Sequence, residues 1–355
     1  MKSGRSLIEL ARELERQVGT KKDLLVPLPR TQYRTAEDGE CALEVEEPTG
    51  VQRYGITALA RRQLAEKLKI PYAYFERMRT EQPELLDRNV NAWLSKEEGE
   101  RQLLRTLDGQ VRAVLSERYR RLDNHDLVEH VLPALQALPE ARFESVELTE
   151  TRLYLKVVTP RISFEVAPGD VVQAGVVVSN SEVGCGMLSV RPLVYRLVCR
   201  NGLIASDRML RKTHVGRALD SEEISGAVFK DDTLQADDRA LFLKVRDVVS
   251  SAVSEATLRA VGEKLQGTRG IGFASDPVRT VEVLAQRYAL TEVERSSVLR
   301  SLIEGGELSG YGLVNAVTNY SQQVVDYDRA TELEALGGRL LELREAEWRT
   351  LAEAP

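Results

Sequence analysis

The chain is poor in the residues that build common metal and redox sites. Its three cysteines, Cys41, Cys185 and Cys199, include no Cys-x-x-Cys pair. An odd number at such spacings makes no disulfide framework and fits a reducing compartment. Histidine is equally scarce, at positions 125, 130 and 214. Structural zinc sites take their ligands in closely spaced pairs, and His125 and His130, five apart on a helix, point to different faces. No metal site is expected, and Cys185 and Cys199 read as small buried hydrophobes at strand ends.

Other absences narrow the chemistry further. Ser179 and Ser181 are not in a Gly-x-Ser-x-Gly turn, and neither central cysteine has a local partner to lower its pKa. "GTRGIGFA" (267–274) lacks the Gly-x-x-x-x-Gly-Lys-Ser/Thr order, and a helical pattern rather than a strand precedes it. It reads as a connecting loop. There is no run of about 18 apolar residues, and the opening "MKSGRSLIELARELERQ" is charged and helical. A soluble, cytoplasmic protein without a membrane partner is expected.

What is present is enough apolar residue, 43% of 355, to bury a core. Residues 3–18 carry apolar side chains near helical spacing, and "KKDLLVPLPRTQYRT" reads as extended. "CALEVEE" and "VQRYGIT" form a short β segment about a "PTG" turn. Thr57 is placed to cap a helix that ends at Pro71, and two more helices follow, at Pro71 and Pro83. "LLRTLDG" and "QVRAVLS" bracket an Asp108-Gly109 hairpin turn. Asp123-Asn124 caps a helix running to about Leu138, and alternation then predicts strands through "FESVELTETRLYLKVVTPRISFEV", "DVVQAGVVVSNSEVG" and "MLSVRPLVYRLVC". In the last of these the alternation breaks after Pro192, which predicts a bulge or an edge. From Asp220 the pattern is helical. The reading is an α+β fold, with a central antiparallel β-rich core and one packed helix flanked by helical ends. Its expected divisions are 1–98, 99–219 and 220–355.

The net charge of −6 hides a local excess of the opposite sign. Between Gly186 and Arg217 stand Arg191, Arg196, Arg200, Arg208, Arg211, Lys212 and Arg217 against one acid, Asp207. Thr151 to Phe164 adds Arg152, Lys156 and Arg161 with no acid. Such a neighbourhood selects anionic partners, unless the arginines snorkel from strand edges or pair with acids elsewhere in the fold. Arg191, Arg196 and Arg200, continued by Arg208, Arg211 and Lys212, are expected to line a groove on one sheet face. Residues on a strand face repeat at about 7 Å, close to the phosphate spacing of an extended single strand. Arg118, Arg120, Arg121, Lys156 and Arg161 would add phosphate contacts, and Tyr119 or Tyr195 would stack on bases. Asn180, Ser181, Glu182, Asn201 and Gly202 would shape turns beside the groove, Gly202 supplying a positive φ.

Four separated motifs, "LSERYRRLDNHDLVEHVLPAL" (115–135), "VVVSNSEVGCGMLSV" (176–190), "RLVCRNGLI" (196–204) and "LVNAVTNYSQ" (313–322), together resemble the DUF932 family of phage/plasmid-like proteins. "LAEKLKIPYAYFERMRTEQPELLDRNVNAWL" (64–94) resembles the amino-terminal region of that family. A β-rich core with a packed helix is also loosely similar to the Rad52-type single-strand annealing proteins, which assemble into rings or filaments and bind DNA backbone without a cofactor. The resemblance implies a cofactor-free nucleic-acid-binding protein that binds single-stranded DNA, with RNA as an alternative, and anneals complementary strands in recombination. The charged carboxy-terminal helices would make it a homo-oligomer. Two rival readings stay open: an interaction or assembly protein of a mobile element, and a metal-dependent nucleic-acid enzyme acting through acids such as Asp123 and Glu182.

Overall fold

A computed structural model describes residues 1–36, 38–96, 101–119, 121–205, 231–273 and 276–352, apart from the side chains of 231–235, 237 and 238. Its strands form two sheets, and helices surround both, which is the expected α+β class. Helix α1 (Leu7–Thr20) starts at a capping box in which Ser6 and Glu9 satisfy each other's backbone N–H. Strands β1 (Lys22–Pro27), β2 (Thr31–Thr35), β3 (Cys41–Glu47) and β4 (Gly50–Ile56) follow. Next come α2 (Ala58–Lys67), capped by Thr57, then α3 (Tyr72–Glu81) and α4 (Pro83–Leu94).

The hairpin of β5 (Arg101–Leu107) and β6 (Gln110–Ser116) turns through Asp108 and Gly109 at φ 52° and 76°. Both positive values are what a two-residue primed turn requires, so the Asp-Gly pair was a sound signal. The hairpin joins the amino-terminal strands rather than the central ones, in a six-stranded sheet of order β1-β5-β6-β4-β3-β2. All its pairs are antiparallel except β4 with β6. Helices α2, α3 and α4 cover one face, with Tyr33, Leu64, Phe75, Leu86 and Val90 in that core. The amino-terminal region is therefore richer in strand than the expected short β segment, and its sheet is closed by a hairpin about 45 residues further along the chain.

Helix α5 (Asn124–Gln136) leads into the second sheet of β7 (Arg142–Leu148), β8 (Leu153–Ala167), β9 (Asp170–Asn180), β10 (Ser189–Arg196) and β11 (Asn201–Ile204). These meander in antiparallel order β11-β10-β9-β8-β7. Beyond β11 come α6 (Asp231–Ala252), α7 (Glu255–Thr268), α8 (Pro277–Tyr288), α9 (Glu292–Gly305), α10 (Gly310–Tyr320), α11 (Tyr327–Leu341) and α12 (Glu345–Ala352). One face of the sheet, with Leu155, Val157, Val176, Val178 and Val194, packs on α5, α6, α7 and α10. The other carries Val158, Val177, Leu193, Tyr195 and Ile204 and meets α11 at Ala335. Burial on both faces explains "LVY" at 193–195: β10 is an interior strand that runs unbroken through Pro192, and no bulge interrupts its pairing with β9. Two glycines let α11 approach its neighbours, β11 at Gly338 and α10 at Gly337. A Cβ on Gly338 would lie 2.0 Å from the Ile204 carbonyl oxygen, and one on Gly337 would lie 2.4 Å from a Thr318 methyl.

Candidate functional site

The second sheet distributes the expected groove residues over two faces and two ends. Lys156, on β8, is fully buried under α11, its Nζ donating to Glu334 Oε2 at 2.7 Å and Thr331 Oγ1 at 2.9 Å. Burial drives its pKa down, against the opposing pull of the Glu334 carboxylate. The expected phosphate contact is thereby corrected: an ammonium with no exposed surface, already paired, reaches no phosphate. Arg191 pairs with Val177 from one side of β9 while Lys156 pairs with it from the other, so both basic residues point to the same covered face. The Arg191 Nε is buried with no acceptor among the described residues, and desolvation lowers its pKa.

Arg196 points the opposite way. It holds Asp170 through two hydrogen bonds of 2.7 Å and lies over the Tyr311 ring at 5.3 Å. Burial alone would raise the Asp170 carboxyl, but the bonds from Arg196 and Tyr311 outweigh it and hold it below the usual range. Residues five apart on a strand face opposite sides, so Arg191 and Arg196 share no groove. Tyr195 is only 7% exposed, and half-buried Tyr119 donates its hydroxyl to the Ser181 carbonyl. Tyr195 therefore offers no open ring face to a base, and Tyr119 is tethered by its hydroxyl.

Four of the expected cations are exposed: Arg118 and Arg121 at one end of the sheet, Arg161 and Arg200 at the other. The ends are marked by Asn180, which donates to the Leu122 carbonyl, and by Gln173, which pairs with Ser163 and Tyr195. Seven residues of strand separate Asn180 from Gln173, about 24 Å. The exposed arginines thus form two clusters rather than one groove. Arg120, Arg208, Arg211 and Lys212 lie outside the described residues. At the β10–β11 turn the left-handed residue is Arg200, at φ 52°, while Asn201 and Gly202 already belong to β11. Asn201 is a buried strap, its Nδ2 bonding Thr318 Oγ1 on α10 at 2.6 Å.

The polar motif at 180–182 sits where the two sheets meet. Fully buried Arg105, on β5, bonds Asp23 at 2.9 Å, Asp123 at 2.5 Å and the Glu182 carbonyl at 3.1 Å. Lys21 reaches Asp123 at 2.6 Å, and Arg112 grips Glu182. Burial would raise the Asp123 carboxyl, but Arg105 and Lys21 outweigh it and lower it. Asp123 occupies the N-cap of α5 without a capping bond from its side chain. Glu182 supplies the acceptor instead, taking the Asn124 N–H at 2.6 Å from 58 residues away. A carboxylate at a helix N-terminus also meets the positive end of the helix dipole. Ser181 ties the motif together, donating to the Thr151 carbonyl and accepting from the N–H groups of Val183 and Cys185. Asn180, Ser181 and Glu182 therefore join layers rather than shape turns beside a groove.

A cleft of about 330 Å³ opens beside this junction. Its wall is assembled from α1, β6, the start of α5, the β7–β8 turn and the residues after β9. Sequence reasoning missed Arg105, Arg112 and Glu334 altogether. The available signal was a charged residue inside an apolar strand, as in "LLRTL" and "LYLKVV", which demands a buried partner. Among the described residues no group of three histidine, cysteine or acidic side chains is placed to hold a metal ion, and no helix is long and apolar enough to cross a membrane. The fold and junction define an α+β protein of two antiparallel-rich sheets joined through a buried ion network. Comparison of the chain with protein-family models, curated proteins and solved structures finds no match.

Proposed function

We propose that the protein binds single-stranded nucleic acid, DNA in the first instance, through phosphate contacts at the Gln173 end of the second sheet and without a cofactor. The observation that supports this reading is the register around Gln173. Arg142 Nη2 donates to Gln173 Oε1 at 3.0 Å, Arg161 lies in the irregular stretch of β8 just before Ser163, and Arg200 turns the chain beside Tyr195. All three arginines are exposed; Arg142 also pairs with Glu144 at 3.4 Å, and Glu144, Arg200 and Arg142 all act electrostatically on the Tyr195 hydroxyl. Guanidinium groups suit phosphate because their paired donors match its oxygens. With Tyr195 buried, base stacking adds little there, so binding is independent of sequence. Neutralised backbones repel each other less, and annealing of complementary strands extends the same contact.

A second reading, assembly with another protein, draws on Leu197 and Val198, 40% and 60% exposed beside Arg200. The enzyme reading uses Asp123 and Glu182, both of which hold cations at the sheet junction. Fluorescence anisotropy with a labelled oligo-dT separates the readings. Arg161→Glu with Arg200→Glu is expected to weaken binding at least tenfold and leave the melting temperature unchanged. Affinity unaltered by the pair, or by added salt, rules the phosphate contact out.

A further inference from the structure

The cleft beside the sheet junction lies at the Glu182 end of the second sheet, away from Gln173, and does not enter the reading above. Its volume of about 330 Å³ is at the lower end of the range for small-molecule sites. Arg112 and Arg152 are among the residues that line it. Arg112 lines the wall with one Nη on Glu182, while its Nε is buried and finds no acceptor among the described residues. Arg152, in the same wall, places Nε and one Nη on the Cys185 carbonyl, so a neutral oxygen rather than a carboxylate holds that guanidinium. Of the acids at the mouth, Glu13 and Asp108 both bind Arg16, while Glu150 is exposed on the β7–β8 turn and has no partner among the described residues. Glu182 is engaged by Arg112, Lys21 and the Asn124 N–H. A molecule entering the cleft therefore meets two guanidinium groups with donor capacity to spare, an engaged Glu182 between the sheets, and one free carboxylate, Glu150, on the exposed turn.

We propose that this cleft binds a small molecule through an oxyanion group, phosphate or carboxylate, received between Arg112 and Arg152. The wall is drawn from both sheets, so occupancy braces the junction, and a ligand that binds only the folded protein raises its stability.

The test uses the full chain and two probes, inorganic phosphate and succinate, at low millimolar concentration, with thermal melting and calorimetry as readouts. A saturable rise in melting temperature of roughly 2–4 °C is expected with at least one probe. Response to phosphate alone assigns a phosphorylated ligand, and response to succinate alone a carboxylate. Arg112→Gln is expected to lower affinity tenfold or more. Because that change also releases Glu182, Leu59→Trp serves as the second variant: it narrows the cleft from its rim without touching an ion pair. Loss of the response in folded Leu59→Trp supports the site. No saturable response to either probe, or a response unchanged in both variants, overturns it. Oligo-dT binding measured on the same variants separates this outcome from failure of the nucleic-acid reading, since neither substitution lies near Gln173.

Discussion

Replacing Lys156 by methionine keeps most of its volume and removes its charge. Glu334 is then a fully buried carboxylate 0% exposed to solvent, with Oε1 already lacking a partner among the described residues and Oε2 losing its cation at 2.7 Å. The Thr331 hydroxyl stays nearby, and the Met1 ammonium and the Arg191 guanidinium still act on Glu334 electrostatically without a direct bond to it. Breaking one side of a buried pair costs about 3–5 kcal/mol, because an uncompensated charge is left in a low-dielectric interior. Unfolding entropy near 2.1 cal/mol/K per residue implies a fall in melting temperature of about 4–7 °C if all 355 residues melt as one unit. Lys156→Met with Glu334→Met removes both charges together and is expected within about 1.5 kcal/mol of the parent, since an apolar pair of similar volume replaces the ions. The assay is denaturant unfolding of the parent, both single variants and the double variant, closed as a double-mutant cycle. A coupling energy below about 1 kcal/mol, or a double variant no more stable than Lys156→Met, would refute the argument. Oligo-dT affinity is expected to stay unchanged in the folded fraction of every variant, because Lys156 never meets solvent.

Four further outcomes follow from the same structure. Arg105→Met takes the buried cation from Asp23 and Asp123, leaving them, among the described residues, only Arg121 at 3.7 Å and Lys21 at 2.6 Å, and should cost about 3 kcal/mol, read as a lower urea midpoint; an unchanged midpoint would remove the junction from the stability account. Asp123 and Asp170 have folded pKa values below their unfolded ones, so their contribution is complete above the unfolded value and is lost as pH falls through the folded value. Stability should therefore drop with acid from about pH 4 downward, and Asp123→Asn should flatten that limb in pH-resolved melts. A Cβ on Gly262 would lie 2.3 Å from the Phe164 ring, so Gly262→Ala should cost about 1–3 kcal/mol by overpacking α7 against β8; a variant as stable as the parent would contradict that packing. Three phosphate contacts by Arg142, Arg161 and Arg200 predict a salt slope near −2.1, roughly an 18-fold loss of affinity from 50 to 200 mM salt, and Arg161→Glu with Arg200→Glu should leave a slope near −0.7 at most.

The legible parts of this fold are those in which neighbouring residues decide the outcome. Thr57 caps α2 because its own hydroxyl reaches Ala60 N–H, and Asp108-Gly109 turns a hairpin because two adjacent residues accept positive φ. Period and turn chemistry placed helices at both ends and strands in the middle for the same reason. Expectations failed where a side chain depends on a distant partner. "LVY" at 193–195 read as a broken alternation because nothing local announces that α11 covers the second face of β10. Glu182 read as a turn residue because the helix it caps begins 58 positions earlier.

The sequence by itself determined the α+β class, the hairpin at 108–109 and the helix starts, through local sterics, capping and apolar period. Only the tertiary structure decided what the charges do. Lys156 meets an acid 178 residues away, and Arg105 meets one 82 residues away. Arg191 and Arg196 turn to opposite faces of one strand. Charge counted along a chain is indifferent to such pairings, because desolvation and Coulomb attraction act through space. The same folding that took Lys156 and Arg196 into the interior left Arg142, Arg161 and Arg200 on the surface about Gln173.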